Sequence, residues 1–192
     1  MRSETCEKEY GKSSIDTIWC SMEKNIILIG FMGVGKGSTA RDFAKKYGVY
    51  NIDTDDLIES KTNREITRLF KKHGEEYFRA LEQETANWIQ ANVKGTLISC
   101  GGGFYKVKNI KKLGTVVLLD APFEWIYDRL KSAKNAKAKL AKRPLFSKIK
   151  EAKKLYEQRV SEYKKVADVI VSVDKLSQKE VLEEIAKAGG IK

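Results

Sequence analysis

Gly30-Phe31-Met32-Gly33-Val34-Gly35-Lys36-Gly37-Ser38-Thr39 follows directly on the apolar run Ile26 to Ile29 and leads straight into a segment of helical period. Glycines at 30, 33 and 35 let the backbone curl until successive N–H groups point at one place. The helix that follows adds the partial positive charge of its N-terminus, so a phosphate is the natural occupant. Lys36 then supplies a mobile full charge for the β and γ phosphates of ATP. Gly33, Val34, Gly35, Lys36, Gly37, Ser38 and Thr39 are the candidate nucleotide-binding residues. A structural glycine turn is the plain alternative, and the order strand, loop, helix argues against it.

The common form of this loop, GxxxxGK[ST], places a hydroxyl on Mg²⁺ immediately after the lysine. Here that place is Gly37, and the nearest hydroxyls are Ser38 and Thr39. The GKG[ST] form resembles the loop of adenylate kinases, which implies a Mg²⁺ held by ATP phosphates, waters and a carboxylate, with Ser38 contacting a phosphate. Ser38 stands as the secondary metal candidate.

Working outward, five short and nearly continuous apolar runs stand out: Ile26 to Ile29, Val49 to Ile52, Thr96 to Cys100, Val116 to Leu119 and Val169 to Val173. Such runs suit strands buried on both faces. Between them lie helical patterns. Ala40, Phe43, Ala44 and Tyr47 recur at steps of three and four and end at Gly48, while Phe78, Leu81, Thr85, Trp88 and Ile89 share a second face. Ser177 and Glu180 open the last helix as a capping box. Alternation of this kind predicts an α/β domain, a parallel sheet covered by helices.

The chain has 192 residues, 42% of them hydrophobic and 33% charged, which suits one globular domain. No apolar run approaches the ~20 residues of a membrane span, so no membrane association is expected. The formal net charge of +11 calls for an anionic partner without choosing one. His73 is the only histidine, which excludes Ser-His-Asp chemistry and multi-histidine metal sites; followed by Gly74, it reads as an ordinary residue near a helix end. Cys6, Cys20 and Cys100 form no CxxC pair, which fits a reducing cytoplasm. Residues 1–21 are polar, lack a signal-peptide core and are expected to be a disordered extension, with the folded domain spanning 22–192. Residues 131–154 hold ten Lys or Arg against one acidic residue, Glu151, and read as a solvated excursion able to cover an anion.

Acidic residues gather where the second strand ends, in Asp53-Thr54-Asp55-Asp56, the edge at which a doubly wound sheet presents its ligands. One carboxylate there can hold a magnesium water and another can orient an acceptor hydroxyl and take its proton. A plain helix N-cap is the alternative. Arg79 has Glu82 three residues on, able to fix the guanidinium, and an exposed ion pair is the alternative there. Gly101-Gly102-Gly103 follows the third strand and permits a ligand ring to lie against bare backbone.

Taken together, LIGFMGVGKGS at 28–38, IDTD at 52–55, GEEYFRALE at 74–82, SCGGGF at 99–104, KRPLF at 142–146 and YEQR at 156–159 resemble the shikimate kinases in order and spacing. The resemblance runs from Met22 to near the C-terminus. It implies a five-stranded parallel sheet of order 2-3-1-4-5 with flanking helices, a small helical substrate-binding subdomain at about 54–95, and a basic lid at about 131–154. It further implies ATP and Mg²⁺, with shikimate as the acceptor, phosphorylated on its 3-hydroxyl on the way to chorismate and the aromatic amino acids. Residue by residue, Asp55 resembles the hydroxyl-contacting base and Asp53 the aspartate near the metal. Arg79 and Arg159 resemble the pair that grips the shikimate carboxylate, with Gly101, Gly102 and Gly103 as backbone. Arg143 resembles the lid arginine that reaches the transferring phosphate, and Arg129 one that lies by the adenine. Catalysis is thereby assigned to Asp55, Lys36 and Arg143, in a monomeric cytoplasmic enzyme with no nucleic-acid partner. Gly37, the stretch Val160-Ser161-Glu162-Tyr163 and the long lysine-rich segment depart from the family pattern. Two rivals stay open: another small-molecule kinase of this fold, acting on a nucleoside monophosphate or a gluconate-type acid, and a non-catalytic relative that binds nucleic acid through its basic surface.

Overall fold

A computed structural model describes residues 22–133, 136 and 144–191. The expected N-terminal extension, residues 1–21, lies outside them, as do Arg143 and most of the central lid segment. Five strands, β1 Ile26–Ile29, β2 Asn51–Asp53, β3 Leu97–Ser99, β4 Thr115–Asp120 and β5 Val169–Ser172, form one sheet in the order β2-β3-β1-β4-β5, all neighbours parallel. Parallel neighbours need crossovers, and the helical patterns of the sequence supply them. These are α1 Lys36–Tyr47, α2 Thr54–Thr62, α3 Ile66–Asn92, α4 Ile110–Leu113, α5 Phe123–Lys131, α6 Ile149–Val166 and α7 Gln178–Ala188.

Burial follows position in the sheet. Every residue of β1 and β3 is buried, as is the middle of β4, and these side chains fill the main core together with Phe43, Ile89, Phe104, Ile126 and Ile185. The outer strands depart from the expected burial on both faces. β2 is only half-buried throughout, and Ile170 of β5 is 47% exposed, because an edge strand has a neighbour on one side only. At the amino ends of the strands, Asn25 ties three elements to one side chain. Its amide donates to Val93 O at 2.8 Å and Leu113 O at 2.9 Å, and its oxygen accepts from Thr96 N. That buried amide is fully used.

α1 ends at Gly48 in the left-handed region (φ 65°), and α7 opens with the reciprocal Ser177–Glu180 capping box, both as expected. Trp88 is the exception on the second helical face: Phe78, Leu81, Thr85 and Ile89 are buried, whereas Trp88 is 48% exposed. Its Cα lies at the margin of the apolar stripe, and a ring that wide spills past it. His73 lies where expected, at the end of the first half of α3: Gly74 follows with non-helical backbone (φ 80°) and breaks the helix, and the imidazole stacks on Tyr77. Ile58, Leu69, Phe78 and Leu81 form a second, separate cluster in which α2 and the two halves of α3 pack on each other, apart from the sheet.

Of the stretch expected as a solvated excursion, residues 144–154 are ordered into a 3₁₀ turn, Pro144–Ser147, and the first turns of α6. Phe146 is buried there, packed edge-on to Phe31 and stacked on Phe123 and Tyr127. Among the described residues no helix is long and apolar enough to cross a membrane.

Candidate active site

The loop after β1 holds Gly30 at φ 143°, Gly33 at φ 89° and Gly35 at φ 116°, conformations that L-side chains rarely adopt. Gly35 is the N-cap of α1, so the loop delivers its N–H groups to the positive end of that helix. Lys36 is buried and folded back on the loop, its Nζ donating to Gly30 O at 2.8 Å and Phe31 O at 3.3 Å. Ser38 Oγ donates to Gly35 O at 2.8 Å, and Thr39 N–H to the same carbonyl at 2.9 Å. Arg129, from α5, lies over Gly35, donates to Val34 O at 2.7 Å and sits 5.5 Å from the Trp125 ring. Burial holds its pKa below the usual arginine value.

Gly37 leaves a gap. A β-carbon there would meet only Arg41 Nη1 at 3.6 Å and Asp53 Oδ2 at 3.9 Å, so the place of the usual hydroxyl is open and faces Asp53. Asp53 Oδ1 accepts from Asp55 N at 2.9 Å, capping α2, and Oδ2 accepts from Ser99 Oγ at 2.9 Å. Each oxygen keeps acceptor capacity. No group of three or more His, Cys, Asp or Glu able to hold a metal occurs among the described residues. A cation here fits as one held chiefly by nucleotide phosphates and water with one nearby carboxylate, which is how Mg²⁺ is commonly bound.

The triple glycine places three candidate residues side by side. A β-carbon on Gly101 would overlap the Asp55 carboxylate, one on Gly103 would overlap the Arg79 guanidinium, and one on Gly102 would lie 3.4 Å from Arg159 Nη1. The bare backbone is therefore spent on the functional side chains themselves. That adds to the expectation that the run permits a ligand ring to lie against bare backbone. Arg159 Nη1 donates to Gly102 O at 3.1 Å, and Gly101 N–H donates to Thr54 Oγ1 at 2.9 Å. Arg79 is gripped on two sides, by Glu82 Oε2 at 2.6 Å and by Glu75 Oε1 at 2.7 and 3.0 Å. Glu82 is buried, and its second oxygen has no hydrogen-bond partner among the described residues, so this pair is not the exposed one of the plain reading. Burial, then the neighbouring Asp53 charge, pushes the Asp55 pKa up to about 7, against the pull of Lys36.

The family model described as Shikimate kinase matches residues 32–189. The chain belongs to the shikimate kinase family. A shikimate kinase of Helicobacter hepaticus is 40% identical over 151 residues, covering 79% of this chain and 87% of that protein. The crystal structure of shikimate kinase from Bacteroides thetaiotaomicron has the same fold, with a TM-score of 0.70 and 27% identity, covering 85% of this chain and 97% of that one. Shikimate kinase from Acinetobacter baumannii, solved in complex with shikimate, has a TM-score of 0.65 at 27% identity and covers 87% of this chain and 93% of that chain. As a shikimate kinase the chain is an ATP-dependent phosphotransferase, in keeping with a phosphate loop at the carboxyl edge of its parallel sheet.

Four residues of the site were not singled out from the sequence. Thr54 and Ser99 sit inside the quoted motifs, and the signal for Ser99 was register, since it pairs with Asp53 across the β2–β3 ladder. Glu75, four residues before Arg79, was legible from helical spacing alone. Tyr163 follows Arg159 by one turn on α6, and its hydroxyl donates to Gly102 O at 2.6 Å. A groove between α2 and α3, lined by Leu57, Lys61, Glu84 and Trp88 among others, includes none of these residues.

Proposed function

We propose that the chain transfers the γ-phosphate of ATP to the 3-hydroxyl of shikimate, giving shikimate 3-phosphate and ADP, with the residues fronting the triple glycine as its acceptor site. The observation that carries this reading is the alignment of Asp55, Arg159 and Arg79 along Gly101, Gly102 and Gly103. One carboxylate with a pKa near neutrality beside two held guanidiniums suits an acceptor with hydroxyls at one end and a carboxylate at the other.

In this reading the N–H groups of the Gly33 to Thr39 loop hold the phosphates, and Lys36 leaves the Gly30 and Phe31 carbonyls for the β and γ phosphate oxygens. Arg129 flanks the nucleotide from α5, and Arg143, which lies outside the described residues, is assigned to the transferring phosphate by its resemblance to the family's lid arginine. Asp53 is the carboxylate that would hold Mg²⁺ beside the phosphates; Ser38, committed to Gly35 O, is the weaker candidate. When bound, Mg²⁺ supplies charge neutralisation on the triphosphate. Arg79 and Arg159 hold the acceptor carboxylate, which sets the 3-hydroxyl toward Asp55. The hydroxyl oxygen attacks the γ-phosphorus while the bond to the bridging oxygen breaks, its electron pair leaving on ADP. The hydroxyl proton passes to the Asp55 carboxylate. Positioning and charge do most of this work, since phosphoryl transfer asks little covalent chemistry of a protein.

ADP release measured with shikimate against a panel of other hydroxy acids, gluconate and nucleoside monophosphates tests the reading. Turnover confined to shikimate is expected. Faster turnover of gluconate or a nucleotide would replace it with another kinase specificity, and submicromolar, salt-dependent oligonucleotide binding without turnover would point to a binding protein.

A further inference from the structure

Gly102 O carries two donors, Tyr163 Oη at 2.6 Å and Arg159 Nη1 at 3.1 Å, which fills both of its lone pairs. Tyr163 is buried, with its ring edge against Tyr105, whose hydroxyl is bonded in turn to Glu162. Burial pushes the Tyr163 pKa up to about 12, so the hydroxyl keeps its proton and acts as a donor. A trans peptide is planar, with C=O and N–H on opposite sides. Fixing the Gly102 carbonyl toward α6 therefore turns the N–H of Gly103 away from α6. Gly103 is also the glycine that abuts the Arg79 guanidinium. Among the described residues, neither the Gly102 nor the Gly103 N–H donates to any acceptor.

We infer that Tyr163 is a positioning residue for the acceptor: by holding the Gly102 carbonyl it aims the Gly103 N–H at the acceptor carboxylate held by Arg79 and Arg159. The inference rests on the acceptor site proposed above. Arg159 alone cannot do this task, because in the acceptor site proposed above its guanidinium turns to the carboxylate, and the carbonyl then keeps only the tyrosine. Tyr163 thus holds the peptide in place while Arg159 changes partners.

The test compares shikimate with its methyl ester, which keeps the ring and hydroxyls but loses the negative charge, in the parent enzyme and Tyr163→Phe. Shikimate-titrated ¹H–¹⁵N spectra of the Gly102 and Gly103 amides accompany it. The parent is expected to prefer shikimate strongly. Tyr163→Phe should raise the KM for shikimate about three- to tenfold, the span of one neutral hydrogen bond, while the KM for the ester and for ATP stays within about twofold. The downfield shift of the Gly103 amide on adding shikimate should shrink in the variant. A variant that keeps the full preference for shikimate over ester, with an unaltered Gly103 shift, overturns the role of Tyr163 and leaves the acceptor site standing. A parent enzyme that does not distinguish shikimate from its ester overturns the acceptor site, and the inference with it. If Tyr163→Phe does not fold, the parent spectrum decides: a Gly103 amide that shikimate leaves in place refutes the aimed N–H, and one that moves downfield more than Gly102 supports it.

Discussion

Arg79 and Glu82, one turn apart on α3, meet at 2.6 Å with the carboxylate buried and the guanidinium about a quarter exposed beside Gly103. A buried carboxylate is expensive unless paired, so Glu82 holds Arg79 in one direction more firmly than a surface partner could. The guanidinium is already aimed before any ligand arrives, and Glu75 closes its other side.

Arg79→Ala and Arg159→Ala should each raise the shikimate KM far more than the ATP KM. A charge-assisted contact is worth ~1.5–3 kcal/mol, roughly a 10- to 150-fold loss. Steady-state kinetics with each substrate varied in turn check this, and equal losses for both substrates would remove these residues from the acceptor site.

Asp55→Asn should fold, bind ATP and lose turnover by about 100-fold or more, since an amide cannot take the hydroxyl proton. In the parent, the rate should fall as pH drops through about 7, where the carboxylate is protonated. Stability runs the opposite way. The folded carboxyl keeps its proton up to about pH 7, while the unfolded one releases it near 3.8, so the native state loses stability as pH climbs through that window. Asp55→Asn should therefore melt at a higher temperature than the parent at pH 8 and close to it at pH 4. Calorimetry at the two pH values separates these outcomes.

Gly37→Ser should fold unchanged. Its β-carbon would make only ordinary contacts, with Arg41 at 3.6 Å and Asp53 at 3.9 Å, and the position needs no left-handed backbone. The restored hydroxyl faces Asp53, so half-saturation by Mg²⁺ in the presence of ADP should fall severalfold, about what one added oxygen ligand gives. Titration calorimetry of ADP across Mg²⁺ concentrations reads it directly, and an unchanged dependence would place the metal away from this gap.

The glycines sort by what lies opposite them. Gly103→Ala should raise the shikimate KM with little change in melting temperature, because the added methyl displaces the tip of Arg79. Gly102→Ala meets Arg159 at 3.4 Å and should be milder. Gly114→Ala collides with the Asn25 backbone at a φ of 156° and should destabilise the fold without touching substrate preference. Melting curves beside KM values for the three variants test the ordering.

The core strands and the phosphate loop were legible in the sequence because each rests on local pattern: apolar runs for β1, β3 and β4, and glycine spacing before Lys36. What stayed hidden depends on which elements become neighbours. Ile170 and Ile27 look alike along the chain, and only the sheet order puts one at an edge and the other at the centre. Ser99 gains meaning from lying opposite Asp53 in register, and Tyr163 from a carbonyl 61 residues away. The residues around Gly37 were readable as a departure, but the open space toward Asp53 was not, since a gap has no letter.

Helix α6 spans the sheet as a gauge. Tyr156 donates to Ala121 O just past the end of β4, and Tyr163 donates to Gly102 O just past the end of β3; β1, which launches the phosphate loop, lies between those two strands. Seven residues of helix rise about 10 Å, and two inter-strand steps of a sheet measure about 9.6 Å. Helix pitch and strand spacing thus agree, and the separation between the nucleotide half and the acceptor half is set by counting residues. An insertion or deletion of a single residue between 156 and 163 would rotate one tyrosine about 100° away from its carbonyl.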